Sequence, residues 1–417
     1  MIAKIRQIFR LIIGIVLYPI LNIIPRDSSK VVFGAWAGMQ FGDNPKYLLL
    51  ELLRQTRNLK CYWIGHESIR SKVLEIDGVQ FVTKGSLWAM WHLLTAKFYV
   101  CNVDWRWDLG DIPIYGRVII INLWHGIPYK RIGMRQIGGT LKNSVDTRSL
   151  CSRIKHEMVN GYKRIREWMY SDNSWVSVSS HKMGEILCSA FPQRYSTERM
   201  LFLGSPRNDF LVQNKNNVLL QKQLKMKYAR LLGLPVDKKW FLYLPTWRWD
   251  SEKCMFSFAT SLFKTRYEDI LLAQDAVLIE KQHHIVLKRL NLVNKTKGPI
   301  YVLDIDQATK IDLQELLLVS ERLISDYSSC FFDFAILERP CVHFVYDYDE
   351  YTTGRPGVEY TLHEIAAGAI AKNEDELLVA LNMNDVTLLS KRGNKWKDPI
   401  LDESGHSSKE ILKILEK

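Results

Sequence analysis

Two short stretches of this 417-residue sequence carry residue types suited to a phosphorylated substrate. The first is Asp326-Tyr-Ser-Ser-Cys-Phe-Phe-Asp-Phe, preceded by the apolar run Arg322-Leu-Ile-Ser. The pattern predicts a short buried strand ending at Asp326, a turn of small polar residues, and a helix over residues 331–337. The first N–H groups of such a helix have no partner within it, and its dipole favours negative charge there. Ser328 and Ser329 add hydroxyl donors, so the turn suits a phosphate. The same residues would equally make an ordinary capped helix, with Ser328 or Ser329 as the N-cap.

The second stretch is Val118-Ile-Ile-Ile-Asn-Leu-Trp-His-Gly-Ile-Pro-Tyr-Lys. An almost unbroken β-branched run predicts a strand buried on both faces, which places His125 just past its carboxyl end. Gly126 lets the backbone turn or approach a ligand, and Lys130 and Arg131 follow closely. Ligands of open α/β sheets bind at that edge. A structural histidine is the competing reading.

The elements that must position these residues alternate. Strands are expected over 31–36, 60–65, 98–103, 117–124, 175–179 and 200–204, with helices over 45–55, 87–96, 148–170 and 181–190. A second set follows a Lys- and Gln-rich helix over 219–232: strands over 240–244, 284–290, 301–303, 322–325 and 341–346, with helices over 258–272, 312–319 and 331–337. Strands alternating with helices predict doubly wound parallel sheets. The chain is too long for one ordinary core, and its 47% hydrophobic and 24% charged residues exclude a disordered protein. A net charge of +12 calls for an acidic partner. Seven scattered cysteines without a Cys-x-x-Cys pair argue against a disulfide framework or a zinc site and predict a reducing, cytoplasmic setting.

Residues 1–25 start with Lys4, Arg6 and Arg10 and continue as an apolar run interrupted by Gly14, Pro19 and Asn22. That run is shorter than a bilayer span, and no small-residue cleavage site follows it. It predicts a segment lying in an anionic membrane interface; a helix docked on the protein's own surface is the alternative.

Asn122-Leu-Trp-His-Gly-Ile-Pro-Tyr-Lys-Arg-Ile-Gly and Leu323-Ile-Ser-Asp-Tyr-Ser-Ser-Cys-Phe-Phe-Asp-Phe resemble signature segments of the CDP-glycerol glycerophosphotransferases. These bacterial enzymes prime and extend teichoic acids and related capsule polymers. The resemblance continues at Lys30-Val-Val-Phe-Gly-Ala-Trp, Phe41-Gly-Asp-Asn-Pro-Lys-Tyr, Gly204-Ser-Pro-Arg-Asn-Asp, Leu244-Pro-Thr-Trp-Arg and Tyr346-Asp-Tyr-Asp-Glu-Tyr with Gly354. It implies an α/β protein of two doubly wound Rossmann-like domains facing across a cleft, the GT-B type. The expected division is a membrane-interface segment 1–28, an acceptor-side domain 29–210, a linker helix 211–236, a donor-binding domain 237–390 and a tail helix 391–417.

The resemblance further implies transfer of glycerol phosphate from CDP-glycerol to a hydroxyl of a lipid-linked or polymer acceptor at the cytoplasmic face of the membrane. No cofactor, metal or nucleic acid is expected. His125 is then the natural general base. The donor diphosphate should lie against Ser328 and Ser329, with Thr246, Arg248 and Asp326 at the same sheet edge and a planar Arg248 fork for phosphate oxygens. Gly126, Lys130 and Arg207 fall on the acceptor side or at the domain junction, where Arg207 is expected to pair with Asp209. Asp326 and Asp333 are a weak signal for a metal. One departure stands out. The family usually has a second active-site histidine followed by proline, and the matching stretch Arg289-Leu-Asn-Leu puts Asn291 there. Asparagine can hydrogen-bond a phosphate but cannot carry a proton. The alternatives are therefore a ribitol-phosphate or sugar transferase of the same architecture, and an inactive membrane-bound scaffold.

Overall fold

A computed structural model describes residues 23–55, 58–110, 118–136, 174–192, 194–246, 256–282, 286–287, 298–353, 357–383 and 404–415. The expected helix 148–170 and almost all of the N-terminal segment lie outside these residues. Among the described residues, no helix is long and apolar enough to cross a membrane. The chain divides into two compact units: Met1–His125 with Ile132–Asp209 and Asp402–Lys417, and Gly126–Arg131 with Phe210–Leu401.

The first unit is built on seven parallel strands: β1 (Asp27–Phe33), β2 (Lys60–Gly65), β3 (Val79–Thr83), β4 (Ala96–Cys101), β5 (Ile119–Asn122), β6 (Ser174–Val178) and β7 (Met200–Phe202). They lie in the order β3-β2-β1-β4-β5-β6-β7. Val31 and Phe33 face a core closed by the helices Asp43–Gln55 and Ser407–Leu415, while Val32 and Tyr99 face one closed by the helix Leu87–Thr95. Burial on both faces is why these strands read as unbroken apolar runs. Strand order reverses between β1 and β4, so the loops after these strands part to opposite sides and leave a crevice.

The tail helix Ser407–Leu415 is therefore part of the first unit. Its Ile411, Leu412 and Leu415 pack with Leu48, Leu49 and Leu52. The Asp209 carboxylate accepts its first backbone N–H groups, from Ser407 at 2.9 Å and Ser408 at 2.7 Å.

The second unit holds six parallel strands: β8 (Lys239–Leu244), β9 (Ala276–Glu280), β10 (Ile300–Val302), β11 (Arg322–Ser325), β12 (Cys341–Phe344) and β13 (Ala369–Ala371). Their order is β10-β9-β8-β11-β12-β13, with the reversal between β8 and β11. The helix Val218–Leu232 ends at Gly233, whose left-handed φ of 70° closes it. Of the strand expected over 284–290 only residues 286–287 are described, and there the expectation is corrected. The strand beside β8 is Ala276–Glu280, in register from Lys239↔Ala276 to Tyr243↔Glu280, and Val286 and Leu287 are helical. β3 and β13 were not expected at all.

Candidate active site

In the first unit the polar residues gather at the strand-order reversal. His125 follows β5 through Leu123 and Trp124, and the backbone there is unusual: φ is 53° at Trp124 and 149° at Gly126. Asn44, the second residue of the helix Asp43–Gln55, holds this loop. Its Nδ2 donates to the carbonyls of Leu123 at 3.1 Å and Trp124 at 2.9 Å. The half-buried His125 ring lies edge-on to Trp36, with centroids 5.3 Å apart, and is tilted against Trp124 at 4.8 Å. Its Nδ1 is 3.3 Å from the carbonyl oxygen of Asn102, which can only accept. That contact assigns the proton to Nδ1 and leaves the Nε2 lone pair for a substrate. Burial pushes the imidazole pKa below its ordinary 6.5; the Asp43 charge and the Asn102 carbonyl oppose this, and Arg207 adds to it.

Asn102 is the hub of this cluster. Fully buried at the end of β4, it offers its backbone carbonyl to His125. Its side-chain oxygen accepts from the Trp36 N–H at 3.1 Å, and its Nδ2 donates to Asp43 Oδ2 at 2.9 Å. Arg207 closes the cluster: Nη1 donates to Asp43 Oδ1 and to the His125 carbonyl, both at 2.7 Å, and its N–H donates to Asn44 Oδ1 at 3.0 Å. Arg207 thus pairs with Asp43, not Asp209. It lies in the helix Pro206–Asn214, where residues two apart point to different faces.

The short segment that follows His125 belongs to the second unit. Lys130 pairs with Val358 in an antiparallel bridge, and its Nζ sits 4.4 Å from the Tyr351 ring centroid. Tyr351 stacks on Tyr327 at 3.6 Å, and Tyr129 stacks on Tyr327 at 5.7 Å. Gly126 and Lys130, expected on the acceptor side or in the cleft, group with the unit that carries the Asp-Tyr-Ser-Ser turn.

At that turn Asp326 is buried and its carboxylate organises the backbone. Oδ1 accepts from the Thr246 N–H (2.8 Å), the Thr246 hydroxyl (2.6 Å), the Tyr327 N–H (2.6 Å) and the Ser328 N–H (3.3 Å). The carboxylate shapes the crevice instead of contacting a phosphate, which it would repel, and it draws Thr246 beside the turn. His343 fixes it from below: Nε2 accepts from the Ala367 N–H at 3.0 Å, so Nδ1 carries the proton and donates to the Asp326 carbonyl at 3.1 Å. Ser329 stands at the N-cap of the helix Cys330–Ala335, yet its side chain makes no capping bond. The ordinary-cap reading therefore does not account for its hydroxyl. Asp333 accepts from Gln314 Nε2 at 3.0 Å, and among the described residues no cluster could hold a metal ion. Arg248, Arg289 and Asn291 lie outside the described residues.

Sequence reasoning missed Asp43, Asn44, Asn102, Trp36 and His343 as site residues. The stretch Phe41-Gly-Asp-Asn-Pro carried a signal for the first two, whereas Asn102 and His343 had none beyond standing at or near a strand's carboxyl end.

Two parallel sheets, each gathering its polar residues where strand order reverses, define an α/β protein with Rossmann-like topology. The chain belongs to the family described as CDP-Glycerol:Poly(glycerophosphate) glycerophosphotransferase, matched over residues 16–417, and is a transferase by that membership. It is 28% identical over 410 residues to a teichoic acid poly(glycerol phosphate) polymerase of Bacillus spizizenii, covering 96% of this chain and 95% of that one. A teichoic acid glycerol-phosphate transferase of Staphylococcus aureus is 28% identical, covering 89% of this chain and 87% of its own. Among solved structures, the wall teichoic acid polymerase TagF has the same fold, with a TM-score of 0.75 and 23% identity over all of this chain and 98% of that one.

Proposed function

We propose that the protein transfers glycerol phosphate from CDP-glycerol to a hydroxyl of a teichoic-acid-type acceptor, with His125 as general base and the Ser328-Ser329 turn as the seat of the donor diphosphate. The acceptor hydroxyl gives its proton to His125 Nε2 as its oxygen bonds to the distal phosphorus. The bond from that phosphorus to the CMP oxygen breaks, and CMP leaves with the extra negative charge. Such a transfer is accelerated mostly by positioning and charge stabilisation, to which a base adds about 10²–10⁴-fold. This division of labour is that of the GT-B architecture. The observation that carries the assignment is the Asn102 carbonyl on His125 Nδ1, which leaves Nε2 as the lone-pair nitrogen. Burial, by lowering the imidazole pKa, keeps that lone pair available at neutral pH.

The test is CMP release from CDP-glycerol with a lipid-extract acceptor. His125→Ala is expected to lose about 10³-fold in rate at an unchanged melting temperature. Equal release by wild type and variant would discard the mechanism, and release by neither would favour an inactive scaffold.

The protein is also proposed to sit peripherally on an anionic membrane at its cytoplasmic face. Supporting this are the net charge of +12, the basic and apolar sequence of residues 1–25, and an exposed apolar surface. On the helix Leu87–Thr95, Leu87, Trp88, Met90 and Trp91 are all exposed. Arg26, where the N-terminal sequence enters β1, donates to the Leu93 and Ala96 carbonyls at that helix's far end. Co-sedimentation with vesicles containing phosphatidylglycerol, abolished by Trp88→Ser with Trp91→Ser, is the expected outcome; unchanged sedimentation would remove this surface from the reading.

A further inference from the structure

The loop after β1 is held in a conformation that its side chains resist. Trp36, Ala37 and Gly38 all have left-handed φ values, 49°, 57° and 79°. A non-glycine residue in this region is strained, so the surrounding structure must impose the conformation twice over. It does so with buried polar groups. The Trp36 N–H donates to Asn102 Oδ1 at 3.1 Å, the Ala37 N–H donates to the buried Asp108 carboxylate at 2.9 Å, and Lys84 Nζ donates to the Ala37 carbonyl at 2.7 Å. The same Asp108 carboxylate takes the N–H groups of Asn102 and Val103, so the loop and the end of β4 are fixed as one piece.

The product of this arrangement is the placement of one ring. The Trp36 indole donates Nε1–H to Asp43 Oδ2 at 2.8 Å and makes a T-shaped contact with the His125 ring, yet 36% of the residue remains exposed. With its one polar atom satisfied, what it offers outward is flat apolar surface beside the base. The core does not need that surface, because the core side of this loop is filled by Ala35 and Phe33.

We propose that Trp36 is an acceptor subsite whose open face takes the C–H face of the acceptor's terminal polyol or pyranose unit and so sets that unit's hydroxyl on His125 Nε2. The ligand class follows from the surface: a flat hydrocarbon face suits the non-hydroxyl face of a sugar or alditol and offers nothing to a phosphate. The proposal rests on reading His125 as the base.

The experiment uses the full chain with a soluble probe acceptor, an alkyl disaccharide glycoside ending in one glycerol phosphate. Initial rates of CMP release at saturating CDP-glycerol, and calorimetric binding of the probe without donor, are measured for wild type, Trp36→Ala and Trp36→Phe. Trp36→Ala should raise the acceptor KM and Kd about tenfold while changing kcat and the CDP-glycerol KM by less than about threefold. Trp36→Phe removes the bond to Asp43 but keeps a flat ring, and should hold the acceptor KM within about threefold of wild type. A fall in kcat shared by both variants at unchanged acceptor KM and Kd would overturn the proposal, since the ring would then only brace Asp43 and His125. So would Trp36→Ala behaving as wild type. Absence of CMP release from wild type would instead overturn the underlying function, and the calorimetric arm would still decide whether the ring binds the probe.

Discussion

The two units solve one geometrical problem with different chemistry. Each places its polar residues where a parallel sheet reverses strand order, and in each a buried carboxylate ties down the loops. In the first unit that carboxylate, Asp43, is matched by a cation, Arg207 at 2.7 Å, and the cluster presents an imidazole. In the second, the donors described around Asp326 are neutral N–H and O–H groups, and the cluster presents hydroxyls. A balanced ion pair beside His125 keeps the surroundings of the proposed base near neutral, which would suit a group that takes up a proton. The turn tied by Asp326 instead carries the hydroxyls proposed to meet an anion. The shared sheet edge sets where the polar residues gather; the residue types there set the role proposed for each unit.

The largest effect expected from breaking this contrast is at Arg207. Arg207→Met would strand the Asp43 carboxylate in a site with only 9% side-chain exposure, a loss of about 3–5 kcal/mol in unfolding free energy by urea titration. CMP release should fall with it, because the same guanidinium holds the His125 carbonyl.

A pH titration sharpens the contrast next, at the carboxyl end of β9. Glu280 is fully buried, accepts from Gln282 Nε2 at 2.8 Å, and burial pushes its pKa from 4.5 up to about 7. The folded chain therefore holds this proton more tightly than the unfolded one. Its stabilising effect is complete below about pH 4.5 and is lost as pH rises through about 7. Relative to Glu280→Gln, the wild type should lose about 3 kcal/mol between pH 4.5 and 8 by urea titration. A constant difference across that range would show that Glu280 does not titrate there.

The smallest of the three is Asp326→Asn, which keeps the shape but turns an NH2 group toward N–H donors. About 2 kcal/mol of stability should go. The KM for CDP-glycerol should rise further than kcat falls, since the turn loosens while the base is untouched. A fall in kcat alone would place the turn's role in the chemical step.

Much of this organisation was legible along the chain, and the failures have definite causes. β1, β2 and β5 declare themselves because strands buried on both faces are continuous apolar runs. β9 did not: Ala276-Val-Leu-Ile-Glu and His284-Ile-Val-Leu are neighbouring apolar runs, and only pairing with β8, some 35 residues earlier, selects the first. Arg207 was given the acid two places along, when helical geometry sends that acid to the other side to cap a helix near residue 407. His125 was found because its type and its place at a strand end are local facts. Asn102, on which its tautomer depends, was not, since an asparagine after a strand is unremarkable until two further loops are laid against it.

The sequence by itself determined the alternation of strands and helices, the family, and the two stretches most able to do chemistry, because hydrophobic period and side-chain type act over a few residues. Tertiary structure alone decided which acid meets Arg207, which nitrogen of His125 is left open, and which ring stands beside it. Those are outcomes of burial, where polar groups far apart in the chain must satisfy one another once water is gone.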